Sequence, residues 1–138
     1  MANSSGGITP LLGRVLMSLI FIVAGAQKIP AFSMMKGYVA MAHLPFPSLA
    51  LAIAIAIELV GGLAILAGLW TRFTAWVVFL YLIPTTLCFH LLPALHGTDQ
   101  MNNIMNVEKN LAIMGGLLLL AAHGAGRYSC DGAGEPKA

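Results

Sequence analysis

Apolar and polar residues come in blocks along this chain, and the apolar blocks are long. Four runs stand out: Leu11 to Ala26, about Ser48 to Trp70, about Phe73 to Leu92, and about Lys109 to His123. Within the second, Leu49 to Trp70 makes ~33 Å of helix at ~1.5 Å per residue, about one hydrocarbon thickness. The fourth is short for a crossing and is expected to begin earlier, near Asn103. A Thr71-Arg72 turn folds the second and third runs into an antiparallel hairpin. Pro84 should kink the third run and free a carbonyl near Leu80, with Thr85 and Thr86 placed to re-satisfy the backbone. The pattern predicts an all-α fold, an integral membrane four-helix bundle.

Between the first two runs lies PAFSMMKGYVAMAHLPFP, residues 30–47. Phe32, Met35, Val39 and Ala42 recur at helical spacing, but the stretch is too short and too polar to span. We read it as an interfacial or re-entrant segment across the bundle mouth, with a plain loop as the alternative. Residues 1–10 read as a flexible leader, 11–125 as the membrane domain and 126–138 as a Gly-rich exposed tail. Ala24-Gly25-Ala26 resembles a signal-peptide cleavage site, but we take the first run as a retained transmembrane helix.

Composition sharpens the class. Of 138 residues 59% are hydrophobic and 9% charged, whereas a soluble domain carries about a quarter charged residues. The net charge of +2 is scattered, which excludes nucleic acid as a partner and leaves the lipid bilayer. Cys88 and Cys130 form no C-x-x-C, so neither a disulfide framework nor a thioredoxin-like pair is expected. Four crossings put both termini on one side, with Arg14, Arg72, Arg127 and Lys137. The opposite side holds Lys28, Lys36 and Lys109. The positive-inside rule then favours both termini in the cytoplasm.

The candidate chemistry centres on Glu58. A carboxylate at that depth costs ~2.5–3.5 kcal/mol on insertion scales, so it should face protein or trapped water. Ala54, Gly61 and Gly62 share its helix face, where another backbone can come closest. Gln27 and Lys28 close the first run, His90 lies near the outer end of the third, and Lys109 and Asn110 near the outer start of the fourth. Small residues near Lys28 (Ala24, Gly25) and Lys109 (Gly116) should turn both lysines inward. Glu58 and His90 are the candidate proton-handling, catalytic residues. Gln27, Lys28, Lys109 and Asn110 are the candidate ligand-binding set. The bland alternatives are snorkelling lysines, a hydrogen-bonded interface histidine, and a Glu–Lys pair that only locks helix register. His43, His90, His96 and His123 show no metal-ligand spacing, and no haem pair, phosphate loop or nucleophile elbow is present. Trp70, Trp76 and Tyr81 read as ordinary membrane aromatics.

Seven short motifs occur in order: GR at Gly13-Arg14, AGAQKI at Ala24 to Ile29, E-x-x-GG at Glu58 to Gly62, G-x-x-TR at Gly68 to Arg72, His90, EKN-x-x-x-x-GG at Glu108 to Gly116, and GAGRYS-x-D at Gly124 to Asp131. Over roughly Gly13 to Asp131 the chain resembles the DoxX family of small four-helix bacterial membrane proteins. Cys130 stands where that family often has a hydrophobic residue. The resemblance implies Lys28, Glu58, His90, Lys109 and Asn110 as the family-like polar set. It also implies a link to quinone-dependent sulfur oxidation or to membrane redox-stress complexes. Thiol-dependent relatives use cysteine pairs, which this chain lacks, so a thiol-disulfide relay is disfavoured.

Three readings follow. The first is a redox component binding a quinone-like or small anionic ligand in the outer half of the bundle. Glu58 and His90 would handle protons, Lys28 and Lys109 would polarise carbonyl or anionic oxygens, and a redox partner protein would carry electrons. The second is a non-enzymatic accessory or assembly subunit. The third, a small-solute or proton pathway, would call on homo-oligomerisation through glycine faces.

Overall fold

The computed structural model describes residues 7–134; residues 1–6 of the expected leader and 135–138 of the expected tail lie outside it. Four long helices cross: α1 Ile8–Lys28, α3 Pro47–Ala67, α4 Thr71–Leu95 and α5 Gln100–His123. The short α2, Phe32–Met41, sits between the first two crossings as the interfacial segment. The described residues contain no strand, and the fold is an all-α membrane bundle.

Local sequence marks the helix ends. Pro47 opens α3 at a position where its missing N–H is not needed. Gly68 closes α3 in the left-handed region, φ 67°, which a glycine enters without steric cost. α4 is ordinary helix over Thr71–Thr86, widens into a π turn over Leu87–Leu91 and ends in a last helical turn, Leu92–Leu95. The Thr85 hydroxyl donates to Tyr81 O at 2.9 Å, just beyond Pro84. α5 begins at Gln100, well before Lys109 and one turn before Asn103, close to where the shortness of the fourth run put it. Its first turns are polar because they project beyond the apolar stretch, and Asn102, Asn103 and Asn106 bond locally there. Hydropathy marks where this helix enters lipid, not where it starts.

The core gathers where all four crossings meet: Phe21 of α1, Ile65 of α3, Val78 and Leu82 of α4, Leu117 of α5. Ile65 is 0% exposed while Val60 is 67% exposed, so one helix presents one face to protein and the other to lipid. α1 packs most extensively on α3, and glycine permits it. A Cβ on Gly62 would stand 2.8 Å from Ile22 Cγ1 and 3.2 Å from the Ile22 backbone nitrogen. Backbone cannot move aside as a side-chain tip can. Gly62→Ala is therefore expected to destabilise the bundle by about 1–3 kcal/mol. Gly13→Ala, which meets nothing within 4 Å, should be neutral or stabilising by up to about 1 kcal/mol. Denaturant unfolding of both variants in detergent checks the contrast.

The end bearing the termini is tied by a second polar knot. Arg14 is 1% exposed, and its guanidinium donates to Ile65 O at 3.3 Å, Leu66 O at 3.1 Å and Tyr128 O. It thus satisfies carbonyls at the C-terminus of α3, where a cation is favoured. The segment after α5 returns to the α3–α4 turn, where Cys130 N–H bonds Ala67 O at 3.0 Å and Asp131 N–H bonds Gly68 O at 2.9 Å. Asp131 Oδ1 and Oδ2 accept the Trp70 and Thr71 N–H groups, each at 2.8 Å, capping α4 from outside. Asp131 and Tyr128 are exposed, while the backbone here is hydrogen-bonded in place.

Partial burial alone would raise the Asp131 carboxyl, but hydrogen bonds from Thr71 and Trp70 and the nearby Arg14 charge hold it below its ordinary 3.8. A depressed folded-state value means that the cap contributes fully above the unfolded value and is lost as pH falls through the folded one. Wild type should therefore keep its thermal-stability advantage over Asp131→Asn at pH 6 and begin to lose it progressively as pH falls through about 4.

Candidate functional site

Lys28 ends α1 and Glu58 lies in mid-α3, one turn before the Gly61-Gly62 pair. Gly25 brings the two helices together: a Cβ there would stand 3.2 Å from Glu58 Cβ and 2.8 Å from Leu59 Cγ. One turn on, Lys28 Nζ reaches Glu58 Oε2 at 2.6 Å and Oε1 at 2.9 Å, with Ala24 O at 3.4 Å. The Tyr81 hydroxyl donates to Glu58 Oε1 at 2.7 Å from α4. Three helices thus meet at one carboxylate, whose side chain is 7% exposed, against 24% for Lys28.

Above this triad lies an open cavity of about 470 Å³. Its walls are mainly apolar: Met35 and Val39 of α2, Leu51 and Ala54 of α3, Pro84 and Phe89 of α4. Lys28, Glu58 and Tyr81 contribute its deep polar groups. In the wide π turn, three successive residues, Cys88, Phe89 and His90, line the same wall. Such turns recur at functional sites because they aim side chains where a regular helix does not. α2 is fastened over the cavity by Tyr38, which stacks on Phe89 at 5.4 Å and donates to Phe89 O at 3.3 Å.

The structure brings together part of the sequence-derived set. Lys28, Glu58 and His90 line the cavity. Asn110 is buried elsewhere, donating to Thr86 Oγ1 at 3.0 Å, and so joins α5 to α4. Lys109 is exposed and donates to Asn106 Oδ1 at 2.7 Å, so the expected inward turn is not seen. Adjacent helix positions lie about 100° apart, and Asn110 takes the inward one. Gln27 is exposed for the same reason beside Lys28.

Tyr81 is not the ordinary membrane aromatic that its sequence context suggests: it bonds Glu58 and lines the cavity. The signal lay in the hairpin. Glu58 is twelve residues before Trp70 and Tyr81 eleven after it, which puts both at one depth. His90 Nδ1 lies 3.4 Å from Asn103 Oδ1, and Asn103 Nδ2 donates to Thr98 O at 2.8 Å. His90 thereby connects the cavity wall to the α4–α5 loop. Among the described residues no group of three His, Cys, Asp or Glu side chains is placed to hold a metal ion.

A multi-pass bundle with a buried ion pair beneath an apolar cavity is the class that this geometry defines. The DoxX family model matches residues 9–91. Two inner membrane proteins of Escherichia coli K12 are similar: YqjF, 39% identical over 121 residues that cover 88% of each chain, and YphA, 34% identical over 121 residues that cover 88% of this chain and 86% of the relative. The chain belongs to the DoxX family and is a multi-pass inner membrane protein in contact with the lipid bilayer. No solved structure matches it.

Breaking the pair from one side should cost far more than removing both halves. Lys28→Met leaves a buried carboxylate uncompensated and is expected to destabilise by about 3 kcal/mol. The double variant Lys28→Met, Glu58→Leu should recover most of that loss, and Tyr81→Phe alone should cost about 1–2 kcal/mol. Unfolding midpoints of the three variants measure it.

Proposed function

We propose that this chain is a redox-associated inner-membrane component whose cavity binds a quinone-like molecule. The observation that carries the reading is the Glu58 carboxylate, held by Lys28 and Tyr81, at the deep end of an apolar cavity. About 470 Å³ falls within the ~300–1,000 Å³ usual for small-molecule sites. The apolar wall fits a ring and the first part of a lipid tail, and the polar groups fit its head. A bound quinone-like head supplies the electron couple. The chain's own residues position it, exclude water and handle its proton. Glu58 exchanges the proton at Oε2, the carboxylate oxygen that Tyr81 does not bond. His90, a second titratable group on the cavity wall, handles the proton at its free ring nitrogen, while Asn103, itself bonded to Thr98 O, orients the ring. A redox partner protein takes or gives the electrons.

We take both termini as cytoplasmic, a side supported by Arg72 and Arg127, which are exposed at that end. The cavity then lies in the outer half of the membrane. The expected roles of Lys109 and Gln27 as head-group ligands are not carried into this proposal, since both face away from the cavity.

The test is mass spectrometry of small molecules retained after gentle purification, wild type beside Glu58→Gln. A quinone or other ring-headed lipid present in wild type and lost in the folded variant is the expected result. Bulk phospholipid alone in both, with only a lowered melting temperature in Glu58→Gln, would make Glu58 a structural strut and the chain an accessory subunit.

A further inference from the structure

The hydrogen-bond donors facing the cavity are already committed within the protein. Lys28 has three N–H groups and three acceptors, two on Glu58 and one on Ala24 O. The Tyr81 hydroxyl is given to Glu58, the Thr85 hydroxyl to Tyr81 O and the Tyr38 hydroxyl to Phe89 O. At His90 the tautomer follows from its neighbour. Asn103 Nδ2 donates to Thr98 O, so Asn103 presents its oxygen to His90 Nδ1. Nδ1 therefore carries the proton in the neutral ring, and Nε2 is an acceptor. Cys88 adds only a thiol, a weak donor.

Acceptors are in surplus. An ionised carboxylate offers about four lone-pair sites; Glu58 uses three, and Oε2 takes a bond from Lys28 alone. The Glu58 charge is matched by Lys28. An anion would thus meet lone pairs, and a cation would enter an apolar wall with no charge left to balance it.

We propose that the cavity selects a neutral molecule with a donor head, a phenol- or alcohol-type hydroxyl that bonds Glu58 Oε2, over carbonyl-headed or charged ligands of similar shape. This rests on the cavity being the ligand site proposed above. It departs from the expectation that lysines polarise carbonyl or anionic oxygens there. Of an oxidised and reduced ring pair, the reduced, hydroxyl-bearing form is the one that docks.

Three probes of equal chain length test it: a long-chain 4-alkylphenol, its methyl ether and an alkyl-1,4-benzoquinone. Each is titrated calorimetrically into the full chain in phosphatidylcholine nanodiscs, with empty nanodiscs subtracted. The phenol should bind about tenfold or more tightly than either other probe, as expected for one hydrogen bond to a charged acceptor. Tyr81→Phe frees a lone pair on Oε1 and should keep that preference. Glu58→Gln brings a donor into the site and should abolish it. If Glu58→Gln does not fold, the wild-type ratio and Tyr81→Phe decide. A methyl ether or benzoquinone that binds as tightly as the phenol overturns this inference and leaves the cavity reading intact. Binding of none of the three overturns the cavity reading and this inference with it.

Discussion

A carboxylate in the middle of a membrane-spanning helix has no bulk water to solvate it, so the protein itself must supply its partners. In this bundle that requirement sets the register of three crossings at once. Lys28 fixes how far α1 rises beside α3, and Tyr81 fixes the depth at which α4 returns. The close approach of α1 and α3 is possible because Gly25 and Gly62 carry no side chain. Electrostatic need and steric permission thus act on the same helix faces. Hydrophobic matching could not do this, since lipid is as apolar as the helix surfaces and gives no preference for one register over another.

The two ends of the bundle are built differently. At the end bearing the termini, Arg14 and Asp131 join α1, the α3–α4 turn and the returning chain into one hydrogen-bonded unit. At the other end the helices part around an open cavity covered by α2, which packs on α3 and is joined to α4 by the Tyr38–Phe89 stack and one hydroxyl bond. The π turn sits at the same end, where it turns His90 onto the cavity wall instead of continuing a regular helix.

In the folded chain the short motifs act as parts of one frame more than as one site. The Gly-Arg pair, the Gly-x-x-Thr-Arg turn and the terminal Arg-Tyr-Ser-x-Asp stretch converge on the polar base. The Gln-Lys and Glu-x-x-Gly-Gly motifs converge on the ion pair. Asn110 ties α5 to α4 through Thr86. Of the motif residues only Lys28, Glu58 and His90 border the cavity, so the chemistry proposed for this chain rests on few residues.

Much of this was legible in the linear pattern. Run length and the scarcity of charge determined the four crossings, because a helix in hydrocarbon needs about twenty apolar residues and satisfies its own backbone. Proline and glycine placed most turns, and the cost of a buried carboxylate singled out Glu58 with a lysine as its partner. Which lysine, and what else joined it, was decided only by tertiary structure. Lys28 and Lys109 look alike in sequence, but a difference of one position, about 100° around a helix, sends one inward and leaves the other in solvent. Tyr81 looked like a lipid-facing aromatic until the hairpin brought it level with Glu58. Arg14 looked like a charge at the membrane surface until folding buried it against the carbonyls of α3. Periodicity and composition are properties of one segment. The partner of a buried polar group depends on rotation and depth between segments, and only packing supplies these.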